Sequence, residues 1–211
     1  MSLNIEVISL AKALGYSAIG LNTILDQPDI DMVNRLDLSP KNPNMLLKNL
    51  RSYRWKTEII IVNCRNKSVA RQAGKDHRVD LITFSIDENW KNNHLDRQQA
   101  GLMKESGCGY LIDISQLLTN DPKRLRKRIE CVMRDLENAL RRDLPIVASS
   151  CAQDKWGLRD PYSLAALLRL LHIDEDSALN MISHVPYGMV KVNRAKLKKS
   201  YLASGVWIVE N

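Results

Sequence analysis

The segment Glu58-Ile59-Ile60-Ile61-Val62-Asn63-Cys64 constrains this chain more than any other. Successive side chains of a strand point to opposite faces, so a continuous apolar run needs cover on both sides. That is the habit of a parallel sheet flanked by helices. The surrounding pattern agrees. Val7, Leu10, Ala11 and Leu14 follow helical spacing, with Gly15 placed to end that helix. Residues 17–21 read as a short buried strand. Asn42-Pro43 reads as an N-cap and a first-turn proline, opening a helix through Leu46, Leu50 and Tyr53. Further helices are expected over about 66–76, 95–106 and 122–142, with strands over 79–86, 110–114 and 145–150. In the 122–142 helix Asp121 is the cap, and Leu125, Ile129, Val132, Met133, Leu136 and Leu140 form one apolar stripe. Lys123, Lys127, Arg134 and Arg141 fall on the other side, a face for water or for a phosphate backbone. Asp160-Pro161 opens a helix through Leu171, another starts after Asp174, and 205–209 reads as a last strand. Strands alternating with helices along the whole length give one α/β domain over 1–211, as a barrel or as an open doubly wound sheet.

The chain has 211 residues, 45% of them hydrophobic, enough to build its own core. No stretch approaches the roughly 18 apolar residues of a membrane span. The first residues, Met1-Ser2-Leu3-Asn4-Ile5-Glu6, lack the basic segment of a secretory signal. The four cysteines form no C-x-x-C pair, which argues against a zinc ribbon or dithiol site and for a reducing cytoplasm. The net charge of +7 is unevenly spread. Basic blocks occupy 51–78, 121–142 and 191–199, the last holding Lys191, Arg194, Lys196, Lys198 and Lys199 without an acid. Folded together, such blocks make a face that captures polyanions; folded apart, they are solvated helix surfaces.

Catalytic signals are sparse. His77, His94, His172 and His184 are scattered, with no close ligand pair of the kind a metal hydrolase shows. Ser149-Ser150-Cys151 follows a strand, where α/β ligand sites gather, but no glycine elbow or adjacent base accompanies it. Gly107-Cys108-Gly109 is a turn and lacks the lysine and spacing of a phosphate loop.

Several segments in order resemble protein component 3 of archaeal and eukaryotic ribonuclease P, the thirty-kilodalton subunit family. They are residues 14–20 (Leu-Gly-Tyr-Ser-Ala-Ile-Gly), 75–82 around Arg78-Val79-Asp80, 95–100 with 110–115, and 146–152 (Ile-Val-Ala-Ser-Ser-Cys-Ala) followed by Leu158-Arg159-Asp160-Pro161. The series continues through Ala178, Ile182-Ser183 and Pro186 to Val192-Asn193-Arg194. The resemblance implies a TIM-barrel-like α/β fold, related to the polymerase-histidinol-phosphatase group without its metal ligands. The family begins with a strand before its first helix, whereas the helix pattern here starts near Ile5. The first barrel strand is therefore expected to be missing, or the start codon misplaced. The resemblance further implies a subunit of the ribonucleoprotein that removes the 5′ leader from precursor tRNA. Its expected partners are the ribonuclease P RNA, precursor tRNA, protein component 2 and other protein subunits. The chain itself is expected to bind no cofactor, and magnesium to act through the RNA subunit. Basic blocks and family-like segments together nominate Arg71, Arg78, Lys123, Lys127, Ser149, Ser150, Arg159, Lys191, Asn193 and Arg194 as RNA-contacting residues, with no catalytic residue and no metal ligand. Structural pairing of Arg78 with Asp76 or Asp80, and of Arg159 with Asp160, is the competing assignment. A stand-alone α/β hydrolase using the Ser149–Cys151 loop is the alternative function.

Overall fold

A computed structural model describes residues 2–22, 30–86, 91–198, 200–203, 206 and 207. The order is α1 (Ser2–Ala13), β1 (Ala18–Leu21), β2 (Asp31–Leu38), α2 (Pro43–Tyr53), β3 (Ile59–Cys64), α3 (Lys67–Gly74), β4 (Leu81–Phe84), α4 (Arg97–Ser106), β5 (Gly109–Asp113), α5 (Pro122–Leu140), β6 (Ile146–Ser149), α6 (Pro161–Leu168), α7 (Glu175–Ile182), α8 (His184–Leu197), β7 (Tyr201–Ala203) and β8 (Val206–Trp207). Strands β1 to β6 form one six-stranded sheet in sequence order, every neighbouring pair parallel. The sheet curls into an open half-barrel: among the described residues no ladder joins β6 back to β1. The strand expected at 205–209 is present at Val206–Trp207, paired antiparallel with β7, and the rest of that range lies outside the described residues.

Local chemistry sets the element ends. Asn42, Asn66, Asp96, Asp121, Asp160 and Asp174 each accept a backbone N–H in the first turn of the helix they precede. Pro43, Pro122 and Pro161 then occupy first-turn positions where a missing N–H costs nothing. Gly15, at φ 90°, and Gly107, at φ 77°, take the left-handed conformation that ends α1 and α4.

The two faces of the sheet have different cover. Outward, Leu38, Ile60, Val62, Ile82, Tyr110, Ile112, Ile146 and Ala148 pack with apolar residues of α2 to α7 in the main core. Inward, Val33, Ile59, Ile61, Leu81, Leu111 and Val147 pack with Val190 of α8, supported by Val185 and Met189. Helix α8 thus fills the N-terminal half of the half-barrel. One sequence expectation needs correction, and two elements lay outside the reading. Leu140, placed in the buried stripe of α5, is 53% exposed, and the adjacent Ala139 is the residue that packs into the core at that end of the helix. Strand β2 and helix α8 were both unforeseen, and they are the elements that shape the interior.

Candidate nucleic-acid interface

Strand periodicity turns the inner face polar toward the C-terminal ends of the strands. Two residues beyond Val33, Ile61, Leu111 and Val147 stand Arg35, Asn63, Asp113 and Ser149, with Asp37 two further along β2. This is the mouth where barrel enzymes place their chemistry. Arg35 Nη2 lies 2.9 Å from Asp37 Oδ1 and 3.5 Å from Cys151 Sγ, linking β2 to the loop after β6 across the mouth. Asn63 Oδ1 accepts from Ser85 Oγ at 2.7 Å. Asp113 accepts from the Ser115 backbone N–H at 3.0 Å and its hydroxyl at 2.6 Å. The polar groups therefore bond to one another rather than converge on an open centre.

The Ser149–Cys151 loop carries no activated nucleophile. Ser149 Oγ accepts the Cys151 N–H at 3.2 Å, and no histidine among the described residues bonds to Ser149 or Ser150. Burial pushes the Cys151 thiol up, with Arg35 pulling the other way, so the thiolate is disfavoured. Cys151 sits at φ 46°, a left-handed strain that aims its sulfur at Arg35. Among the described residues, no three of His, Cys, Asp and Glu gather as a metal-ligand set.

The opposite mouth is built by ion pairs between distant segments. Arg194 of α8 bonds to both oxygens of Asp31 at 2.7 Å and to Glu58. The Arg194 hydrogen bond holds the Asp31 carboxyl below the usual carboxylate range. Asn193 is 3% exposed and donates to the Glu58 carbonyl at 2.8 Å and to Asp80 Oδ1 at 2.7 Å. Asp80 also accepts from Arg54 at 2.5 Å and from the Ile60 N–H at 2.7 Å. So the N-terminal edges of β2, β3 and β4 are pinned to α8 by carboxylates that neutralise part of two basic blocks.

The ten residues nominated from sequence thus separate. Arg71 bridges α3 to α4 through Asp96 at 2.6 Å and Gln99 at 3.2 Å. Arg78 holds Asp76 bidentately at 2.8 and 2.7 Å, and Arg194 is paired as above. Arg159 does not pair with Asp160: it donates to the Trp156 and Leu158 carbonyls, each at 2.7 Å, while Asp160 caps α6. Asn193 is buried, its amide spent on the Glu58 carbonyl and on Asp80. Ser149 and Ser150 are half-buried at the C-terminal mouth. Lys123, Lys127 and Lys191 are exposed cations, Lys191 lying 4.7 Å over the Tyr187 ring. The nominations cover two strand mouths and the outer helices α3 and α5, not one cluster. Sequence reasoning missed Arg35 and Asp37, whose polar–apolar alternation in β2 was the available signal, and Trp55, 71% exposed after α2.

An open half-barrel of parallel strands, its inner face filled by a helix and its C-terminal mouth self-bonded, defines a TIM-barrel-like α/β protein. The model of the family described as RNase P subunit p30 matches residues 3–198. The chain belongs to that family. The ribonuclease P protein component 3 of Methanosarcina mazei is 27% identical, covering 97% of this chain and 89% of its own length. That of Methanosarcina barkeri is 28% identical over 90% and 83%. One chain of a cryo-EM structure of archaeal ribonuclease P with mature tRNA has the same fold, with a TM-score of 0.85, 19% identity, and coverage of 98% and 94%. Among the described residues no helix is long and apolar enough to cross a membrane.

Proposed function

We propose that this chain is a protein subunit of the ribonuclease P ribonucleoprotein, which cleaves the 5′ leader from precursor tRNA. Family membership over residues 3–198 is the observation that carries this reading. The chain binds and stabilises the catalytic RNA and associates with protein component 2. Phosphodiester hydrolysis draws on metal ions to stabilise charge at the phosphorus. In this reading the RNA holds magnesium and supplies the chemistry, while exposed cations such as Lys123, Lys127 and Lys191 screen phosphate repulsion. The stand-alone hydrolase is disfavoured by Ser149 Oγ, which accepts the Cys151 N–H, and by the burial that works against the Cys151 thiolate.

Binding of the full chain to ribonuclease P RNA across a salt series tests the RNA contact. Each phosphate neutralised contributes a slope of about −0.7 to −0.9 in log K against log salt. Lys123→Ala and Lys127→Ala are each expected to flatten the slope by about that amount; a wild-type slope near zero would remove the phosphate-tracking surface. In the reconstituted holoenzyme, Ser149→Ala and Ser150→Ala are expected to leave the single-turnover rate within about tenfold, roughly 1.4 kcal/mol. Loss of several orders of magnitude with assembly intact would return catalysis to this protein.

A further inference from the structure

We infer that Tyr53, Trp55 and Lys56, at the turn between α2 and β3, form a platform on which an unpaired nucleobase of RNA stacks. This rests on the RNA-binding reading above and assigns it a place and a mode. Trp55 is 71% exposed and Tyr53 38% exposed. Lys56 Nζ lies 5.0 Å from the centre of the Tyr53 ring and 5.5 Å from that of Trp55, so one cation serves two rings. The turn is stiff. Arg54, between the two aromatics, donates to Asp80 and to the carbonyls of Arg78 and Glu58, and Thr57 after them is buried. A rigid aromatic mounted outward loses little entropy when it accepts a flat partner.

Charge says what that partner is. Residues 38–57 hold Lys41, Lys48, Arg51, Arg54 and Lys56 and not one acid. Arg54 is neutralised by Asp80, leaving the others turned outward. On α2, Asn44, Leu47, Lys48, Arg51 and Ser52 line an open depression of about 410 Å³. Arg51 stands in the last turn of α2, four residues before Trp55 in the chain. A protein partner would bury the rings but would leave these cations uncompensated unless it were acidic. An RNA loop supplies base and phosphates together, and bases splayed from loops are what aromatic side chains stack upon.

The test is binding of the full chain to an unstructured single-stranded RNA and to a duplex of equal length, for wild type, Trp55→Ala, Trp55→Leu and Trp55→Phe. Thermal midpoints establish that each variant is folded. Alanine and leucine are expected to weaken single-strand binding about 5- to 100-fold, the range for removing a stacking aromatic, with phenylalanine retaining most of it and duplex binding little changed. Equal binding by the leucine and phenylalanine variants would overturn stacking. Unchanged RNA binding by Trp55→Ala, with its co-elution with the other protein subunits lost, would make the platform a protein contact and overturn it too. Both outcomes leave the RNA-binding reading standing; wild type that binds no RNA at any salt would remove both.

Discussion

Replacing Asp80 with alanine is expected to lower stability by about 3–5 kcal/mol, the cost of stranding the partners of a largely buried ion pair. Asp80 is 12% exposed at its side chain and Arg54 18%. Its carboxylate serves Arg54, the N–H of the fully buried Ile60 and the amide of Asn193. Its backbone is spoken for on both sides, donating to the Ile60 carbonyl and accepting from the Gly109 N–H. Alanine therefore leaves a guanidinium, a strand amide and a buried side-chain amide without their acceptor, at the junction of β3, β4, β5 and α8. A fall of 3–5 kcal/mol is a large part of the 5–15 kcal/mol that holds a typical domain folded. For a chain of this size it corresponds to roughly 6–20 °C in Tm. Asp80→Asn, which keeps one acceptor oxygen, should fall between. Denaturant titration of the three proteins decides: a loss below about 1 kcal/mol for alanine would mean that water replaces the carboxylate and that this mouth is wetter than its geometry implies.

Asp135 gives the second large effect, and it is a dependence on pH. The residue is 4% exposed on α5, and burial pushes its carboxyl up to about 7, with Arg134 and the Leu95 N–H pulling it back and Asp96 adding to the rise. Unfolded, it titrates near 3.8. Between these values the native state holds a proton that the unfolded chain has released, so stability falls as pH rises from about 4 to about 7. At 1.36 kcal/mol per unit the fall is at most about 4 kcal/mol. Asp96 acts elsewhere: although burial opposes it, bonds from Arg71, Gln99 and Lys67 hold its carboxyl low, so its contribution is lost only in more acid solution. Asp135→Asn mimics the protonated form. Unfolding free energies at pH 4.5 and 7.5 should differ less for this variant than for wild type by up to about 3 kcal/mol. Equal pH dependence in both would place the Asp135 carboxyl in contact with solvent.

What the sequence disclosed followed from how local the physics was. Strand β3 was legible because five of its six residues are buried, so both faces had to be apolar. The caps Asn42, Asp121 and Asp160 were legible because the bond each makes spans two or three residues. Strand β2 was not, since half of its inward positions are Arg35 and Asp37, which compensate one another inside the mouth and read from sequence as surface charge. Helix α8 was hidden in the same way. Its anchors, Asn193 and Arg194, look like part of a basic tail until Glu58, Asp80 and Asp31 are brought to them across more than a hundred residues. Charge blocks in sequence thus overstated the basic surface: Arg54, Arg71, Arg78 and Arg194 hold the fold together, while the outward cations include those of α2, α5 and the exposed side of α8.

The gap between β1 and β6 makes this sheet a split ring. In a closed barrel, changing the bore means shearing a hydrogen-bond ladder. Here, among the described residues, side chains join the two rims: the Tyr16 hydroxyl donates to the Arg159 carbonyl at 2.8 Å, Arg35 reaches Cys151 Sγ at 3.5 Å, and Lys155 meets Glu6 at 3.0 Å. The last is a surface ion pair, worth at most about 1 kcal/mol. Circumferential stiffness therefore resides in five parallel ladders and drops sharply at one seam. A load applied to the rim widens or narrows the ring there first, leaving the ladders, the filled interior and the α8 clamp in register.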